Sequence, residues 1–312
     1  MKKLSIVIPF KGQTESDLAR VLGSINGQIG IDFNQLDVHL VNDGGPAINY
    51  SKFKILSNLT LYYHQLPENV GPGLARQYGI DHSEGEYLMF IDSDDELHYA
   101  GALLDFFNVL KGSGDHQVII GRFLEQKMGE DGVFRYFSSN VYNWGALHGK
   151  FFNRSYLQSL DLRFHPALRA ANEDLYFVGL ACMLATDIYQ LDSVIYSWLW
   201  NGDSLGRSNN NALIHKTHLY VDYCYFTAEK IKEKKPELLA SSLEGSILHC
   251  YEYYRDYPPL TPKEEQLFYD KMEKFLDDFS GNWPGLENTK NVRLQTPGFR
   301  SFIEKVNAHS HK

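Results

Sequence analysis

The stretch Tyr87–Leu97, YLMFIDSDDEL, decides how this chain is read. An apolar run, Tyr87–Ile91, stops at Asp92, and Asp94, Asp95 and Glu96 follow directly. A continuous apolar run suits a strand buried on both faces, the kind found in parallel sheets. Carboxylates this close repel and raise one another's pKa unless something neutralises them: water, a basic side chain, a helix N-terminus or a cation. In open sheets of this type ligands collect at the carboxyl ends of the strands, where this acidic cluster sits.

Working outward, Leu4–Phe10 (LSIVIPF) is another buried run and reads as the first strand. A helix follows it, with Leu18, Val21, Leu22 and Ile25 on one stripe and Thr14 with Asp17 placed for a capping box. LDVHLVND is a second strand closed by the turn former DGGP, and LTLYYHQL is a third. GPGLARQYGIDHSEG offers a short helix, and Leu97–Lys111 a further one with DSDDE at its start. HQVIIGRFLEQ and VFRYFSS read as an antiparallel pair about a turn at Gly129–Gly132. Strands alternating with helices predict an α/β sandwich around a mostly parallel sheet.

From about residue 211 the period becomes helical. The last helix there opens on Thr261, Pro262 and Glu264, a cap, a first-turn proline and a capping-box partner. The expected division is therefore 1–210 for an α/β domain and 211–312 for an all-helical extension. Its Tyr-rich helices are expected to pack as core, with a homodimer interface or an acceptor cradle as other uses.

Bulk properties narrow the class. The chain has 312 residues and a formal charge of −9, which argues against a sequence-independent nucleic-acid binder. No apolar run approaches membrane-span length, and the run after MKK is short for a signal peptide. Cys182, Cys224 and Cys250 are scattered without metal spacing, pointing to structural thiols in a reducing compartment. A cytoplasmic protein, touching membrane only through its acceptor, is expected.

Several motifs lead nowhere. GPGLAR begins like a dinucleotide fingerprint, but Arg76 stands at the third glycine and the segment lies late in the domain. His215 and His218 sit one helical turn apart without an apparent third ligand. The acids in YLMFIDSDDEL differ through their placement. Helix capping accounts for Asp95 and Glu96 but not for Asp92 immediately after a buried strand. Asp43 ends the second strand, so both acidic turns open onto one crevice. All-oxygen ligands of this kind suit Mg²⁺ or Mn²⁺. Glu173 and Asp174 start another apolar helix, LYFVGLACMLA.

Together SIVIPFKG, VNDGG, NVGPGLARQYGIDHSEGEYLMFIDSDDEL and ANEDLYF resemble the family 2 glycosyltransferases of GT-A fold, of polysaccharide-biosynthesis type, over roughly residues 4–205. The resemblance implies a Rossmann-like nucleotide-binding sheet between helices. It also implies an inverting, Mn²⁺- or Mg²⁺-dependent transfer of a sugar from a nucleoside diphosphate, most often UDP, to a hydroxyl on a glycan or lipid-linked glycan. By the same resemblance Asp92 and Asp94, with Ser93 between them and Asp95 after, match the Asp-x-Asp metal and diphosphate motif. Asp43 matches the acid that reads the base, Pro9 and Phe10 lie beside the nucleotide, and Arg76 and Arg207 approach its phosphates. Asp174 matches the catalytic base, with Glu173 beside it. WGALHGKFF places Trp144, His148 and Lys150 on the sugar and acceptor side. In-line displacement needs a base opposite the leaving diphosphate, which is why a second acid is required. The chain departs from the family at PFKG, at Asn42 in place of a commoner acid and at Gln77 in ARQ. The rivals are a sugar nucleotidyltransferase, which would release pyrophosphate, and an inactive nucleotide-sugar-binding protein.

Overall fold

A computed structural model of the chain describes residues 2–169, 171–202, 214–283, 285, 289 and 291–309. Two compact units result: Met1–Ala170 with Phe177–Gly202, and Ala171–Tyr176 with Asp203–Lys312. The expected boundary at residue 210 lies outside the described residues.

In the first unit the fully buried run Leu4–Phe10 forms β1. Around it, β2 (Leu36–Asn42), β3 (Leu61–Gln65) and β4 (Tyr87–Phe90) run parallel in the order β3-β2-β1-β4. Strand order reverses beside β1, which opens a crevice at the carboxyl ends of β1 and β4. Beyond β4 the sheet turns mixed. β8 (Lys150–Asn153) is antiparallel to β4 and to β6 (Val118–Met128), and β6 is parallel to β9 (Ile188–Trp198). β5 (Glu96–Leu97) pairs antiparallel with β9, and β7 (Phe134–Ser138) pairs with the outer half of β6 around the expected Gly129–Gly132 turn.

Helices α1 (Glu15–Asn26) and α3 (Ala102–Ser113) share one apolar cluster with the sheet. Thr14 and Asp17 make the expected capping box on α1, and Leu18, Val21, Leu22 and Ile25 are its buried stripe. A second, aromatic cluster joins Phe90, Phe152 and Phe164 to Phe177 of α5 (Glu173–Met183), with the Phe164 and Phe177 rings stacked at 4.3 Å. Each such buried ring contributes about 2–3 kcal/mol of transfer free energy. The remaining helices of this unit are α2 (Pro72–Asp81) and α4 (Arg154–Ser159).

One expectation fails at the acidic stretch. The helix predicted from Leu97 begins only at Ala102, and its cap is Gly101. Glu96 and Leu97 are instead the short strand β5, opposite Ser197 and Tyr196. Glu96 is thus a strand residue, not a first-turn acid, and DSDDE caps no helix. Burying Leu97 against β9 outweighs the helical preference of this short segment, a choice made by tertiary packing.

The second unit holds α6 (Thr217–Lys234), α7 (Leu239–Asp256), α8 (Pro262–Asp278) and α9 (Pro297–His309). Thr261 caps α8 by accepting from the Glu264 N–H at 3.2 Å. The tyrosines are half-buried rather than core: Tyr220 stacks on Tyr253 at 4.7 Å and Tyr254 on Phe268 at 4.7 Å, while the buried interior is made by residues such as Val221, Ile231, Leu243, Ile247 and Phe268. All three cysteines are buried and unpaired as disulfides. His215 Nδ1 lies 2.9 Å from the Pro258 carbonyl, and neither it nor His218 joins a three-ligand metal cluster among the described residues.

Candidate active site

The site is built where β4 ends. Asp92–Asp95 is a tight turn, with the Asp95 N–H donating to the Asp92 carbonyl at 3.0 Å. It points two carboxylates inward and clamps them from β9. The Tyr196 hydroxyl accepts from the Asp92 N–H at 3.2 Å and donates to Asp95 Oδ2 at 2.6 Å. The Leu199 N–H donates to Asp95 Oδ1 at 2.8 Å, leaving Asp95 only 1% exposed. Asp94 is held differently: its Oδ2 accepts from Asn201 Nδ2 at 2.7 Å. Ser93 is buried between them.

Asp92 has two partners. Arg76, on α2 and 6% exposed, donates through Nη2 to Oδ1 at 2.7 Å. His148 Nε2 lies 3.5 Å from Oδ2 of Asp92 and 4.0 Å from Oδ2 of Asp95. The imidazole is fixed by three rings: Tyr196 at 4.8 Å, Trp198 at 4.7 Å and Phe123 at 5.3 Å between centroids. Asp92, Asp95 and His148 each offer a ligand atom, and these atoms lie within 4.8 Å of one another.

The two acids are driven apart in acidity. Burial pushes Asp92 up, but the Arg76 guanidinium and His148 together outweigh it and hold the carboxyl well below the usual range. Burial pushes Asp95 up, the Asp92 charge adds to it, and the Tyr196 hydrogen bond only partly offsets both. Tyr196 itself is raised well above the ordinary phenol value, by burial first and by Asp95 second. The turn therefore sets a carboxyl held low in pKa beside one pushed up.

These atoms fit a small divalent ion. Two ligands about 2.1 Å from one centre lie roughly 3.0 Å apart when cis and 4.2 Å when trans; the two His148 separations, 3.5 and 4.0 Å, fall in that range, and the three atoms together lie within 4.8 Å. One imidazole among carboxylates favours a first-row transition ion over Mg²⁺. His148 was expected on the sugar side; the structure brings it to the two acids instead. Sequence reasoning also missed Tyr196, Leu199 and Asn201 as the clamps. YSWLWNGD was visible as a segment, but the partner of each alternating residue was not.

Other expected residues fall as follows. Asp43 is buried, and its Oδ1 and Oδ2 accept from the Val70 and Gly71 N–H groups at 2.7 and 3.0 Å, tying β2 to the start of α2. Gly71, at φ 95°, lies so close to the Arg169 carbonyl that a Cβ would sit 2.1 Å from its oxygen. Asn42 explains its departure from the commoner acid. Its Nδ2 donates to the Pro46 carbonyl at 2.8 Å and to Gln65 Oε1 at 2.9 Å, while Oδ1 accepts from the Gly45 N–H at 2.8 Å. A carboxylate would have no proton for the first two. Gln77 likewise uses both ends of its amide, on Asp81 and on the Phe164 N–H.

Pro9 and Phe10 end β1 in the core. Trp144 is 43% exposed, whereas Lys150 is fully buried with its ammonium on the Ala146 carbonyl, and burial pushes its pKa down to about 8. Glu173 and Asp174 occupy the first turn of α5, where Asp174 Oδ1 accepts from the Leu175 N–H at 2.8 Å. Arg207 lies outside the described residues.

Comparison with known proteins agrees with this architecture. The family model for "Glycosyl transferase family 2" matches residues 5–173. Among curated proteins, the poly(ribitol-phosphate) beta-N-acetylglucosaminyltransferase TarP of Staphylococcus aureus (strain N315) is 33% identical over 131 residues, covering 39% of this chain and 37% of TarP. The chain thus spans little more than a third of that relative. Among solved structures, S. aureus TarS in complex with UDP superposes with TM-score 0.70 at 17% identity, over 99% of this chain and 89% of that one. The mannosyltransferase PcManGT of Pyrobaculum calidifontis, in complex with GDP-Man and Mn²⁺, gives 0.54 at 13% identity, over 98% and 84%. A parallel sheet turning mixed beyond β4, an acid turn at its carboxyl end and a model match over more than half its length mean that this chain is a member of glycosyl transferase family 2, with the GT-A fold.

Proposed function

We propose that this protein transfers a sugar, with inversion, from a nucleoside-diphosphate donor to a hydroxyl acceptor, and that the donor is UDP-linked. The convergence of Asp92, Asp95 and His148 at the carboxyl end of β4 carries this reading. The TarS complex with UDP and the PcManGT complex with GDP-Man and Mn²⁺ support a nucleotide-sugar and a divalent ion. TarP's name supports a polymer acceptor bearing hydroxyls.

Asp92, Asp95 and His148, with Asp94 in the same turn, would hold a divalent ion, which when bound would supply charge neutralisation for a diphosphate leaving group. Arg76 keeps Asp92 ionised and oriented, and Tyr196 fixes the turn. Asp43, Pro9 and Phe10 shape the nucleotide end. Asp174, in the first turn of α5, takes the acceptor proton, with Glu173 beside it.

A screen of nucleotide-sugars for Mn²⁺-dependent hydrolysis tests the activity without knowledge of the acceptor. Release of nucleoside diphosphate from a UDP-sugar is the expected result; pyrophosphate release would establish a nucleotidyltransferase instead. Asp174→Asn is expected to bind UDP as the parent does and to lose transfer by about 100-fold or more. Transfer at the parent rate would remove Asp174 from the role of base.

A further inference from the structure

The sheet face that carries the acid–histidine centre continues beyond it. In register, Tyr196 of β9 lies opposite Phe123 of β6, and Trp198 opposite Glu125. Glu125 in turn lies opposite Phe137 of β7, and Lys127 opposite Arg135. Register partners share a face and alternate residues return to it, so these side chains share one face of the sheet, buried at Phe123 and Tyr196 and open to solvent at Lys127 and Phe137. Its inner end is the centre itself, through the Tyr196 bond to Asp95 and the packing of Phe123 and Trp198 on His148. Two strand residues advance about 7 Å, so the step from Phe123 past Glu125 to Lys127 spans about 13 Å. That length suits a short chain of rings rather than a single one.

The outer end has a specific chemistry. Phe137 is 49% exposed, an unusual place for a phenyl ring on a two-stranded ribbon. The Lys127 ammonium lies 5.5 Å from its centroid and 3.3 Å from Glu125 Oε2. Arg135 is matched by Asp131 at 2.8 Å. Each cation thus has its own acid, which disfavours a polyanion, since that needs uncompensated charge. An aromatic face beside an adjacent donor and acceptor recognises a hydroxyl-rich ring: its C–H face stacks and its hydroxyls bond to ammonium and carboxylate.

We infer that the Phe137–Lys127–Glu125 face is an acceptor subsite that seats an uncharged stretch of glycan leading into the catalytic centre. This rests on the transfer reading above. The same register supplies an internal control. Phe134 and Tyr136 are also exposed, but they pair with Met128 and Gln126 and point to the opposite face of the hairpin.

Calorimetric titration of the full chain with chitotetraose, cellotetraose and maltotetraose tests the subsite directly. At least one is expected to bind, with Phe137→Ala weakening it about ten-fold and Phe134→Ala changing it less than about two-fold. Two results would overturn the proposal: no binding of any of the three, or equal loss in both variants. Donor hydrolysis by the unmodified protein is measured separately. Its absence with tetrasaccharide binding intact removes the transfer reading and leaves a glycan-binding face. Hydrolysis without tetrasaccharide binding removes the subsite and leaves the transfer reading.

Discussion

Two clusters of titratable groups lie in the same unit, and only one of them converges on a point. At the carboxyl end of β4, Asp92, Asp95 and His148 aim lone pairs at one point. On β2, on β3 and at the residue that caps α2, His39, His64 and His82 are strung out instead. His39 uses Nδ1 toward His64 Nε2 at 3.1 Å and Nε2 toward Asp37 Oδ1 at 3.4 Å, opposite edges of one ring. His64 then meets His82 tilted, at 5.4 Å, and His82 stacks on Tyr78 at 3.9 Å. Residue types alone would favour the histidine cluster as a metal site. Direction decides otherwise: His39 and His64 turn one ring nitrogen each toward the other, His39 turns its second nitrogen to Asp37, and His82 joins no three-ligand cluster among the described residues.

The largest expected effect breaks or confirms that contrast. Asp95→Asn should lower Mn²⁺-dependent nucleotide-sugar turnover by about 100-fold, whereas His64→Asn should leave it within about two-fold. Initial rates at saturating donor and Mn²⁺ make the check, and equal losses would erase the distinction. Next comes Arg76→Ala. Breaking a buried pair by removing one partner costs about 3–5 kcal/mol. The low end, about 3 kcal/mol, is expected because Asp92 keeps 34% of its side-chain surface exposed. Saturating Mn²⁺ should recover part of the loss by neutralising Asp92, which chemical denaturation with and without the ion would show. No recovery would mean that the ion does not bind at Asp92.

How much of this was legible in the sequence follows from the kind of signal each part carries. Apolar runs and caps are local, so β1, α1 with its Thr14–Asp17 box, and the β6–β7 hairpin could be read directly. The acid turn was legible as a place, not as a geometry. Asp92, Asp94 and Asp95 stand together in sequence, yet Asp94 turns to Asn201, whereas Asp92 and Asp95 turn to Tyr196 and His148. Those partners are about 50 and 100 positions away, and the mixed half of the sheet brings them in. The strand β5 was missed for the same reason: a two-residue strand has no period of its own and exists because β9 is beside it.

The smallest expected effect is also the one that separates the clusters by sign. His64 is lowered from 6.5 to about 4, by burial first and then by His39 and His82. Between those values the unfolded chain binds the proton and the folded one does not, so stability falls as pH drops from 6.5 toward 4. Asp95 runs the other way, raised from 3.8 to about 8. Across that window the folded chain keeps a proton that the unfolded chain has released, so stability falls as pH rises. The two windows overlap between pH 4 and 6.5, where they oppose each other, so these two groups leave the melting temperature of the metal-free protein nearly level there and lower it as pH rises from 6.5 toward 8. Asp95→Asn should abolish that alkaline fall and uncover a loss below pH 6.5, whereas His64→Asn should extend the fall down toward pH 4. Mn²⁺ must displace the Asp95 proton to bind, so it should raise the melting temperature more at pH 8 than at pH 6. A Mn²⁺ increment independent of pH would show that Asp95 is no ligand, and the contrast between converging and stacked groups would then rest on Asp92 and His148 alone.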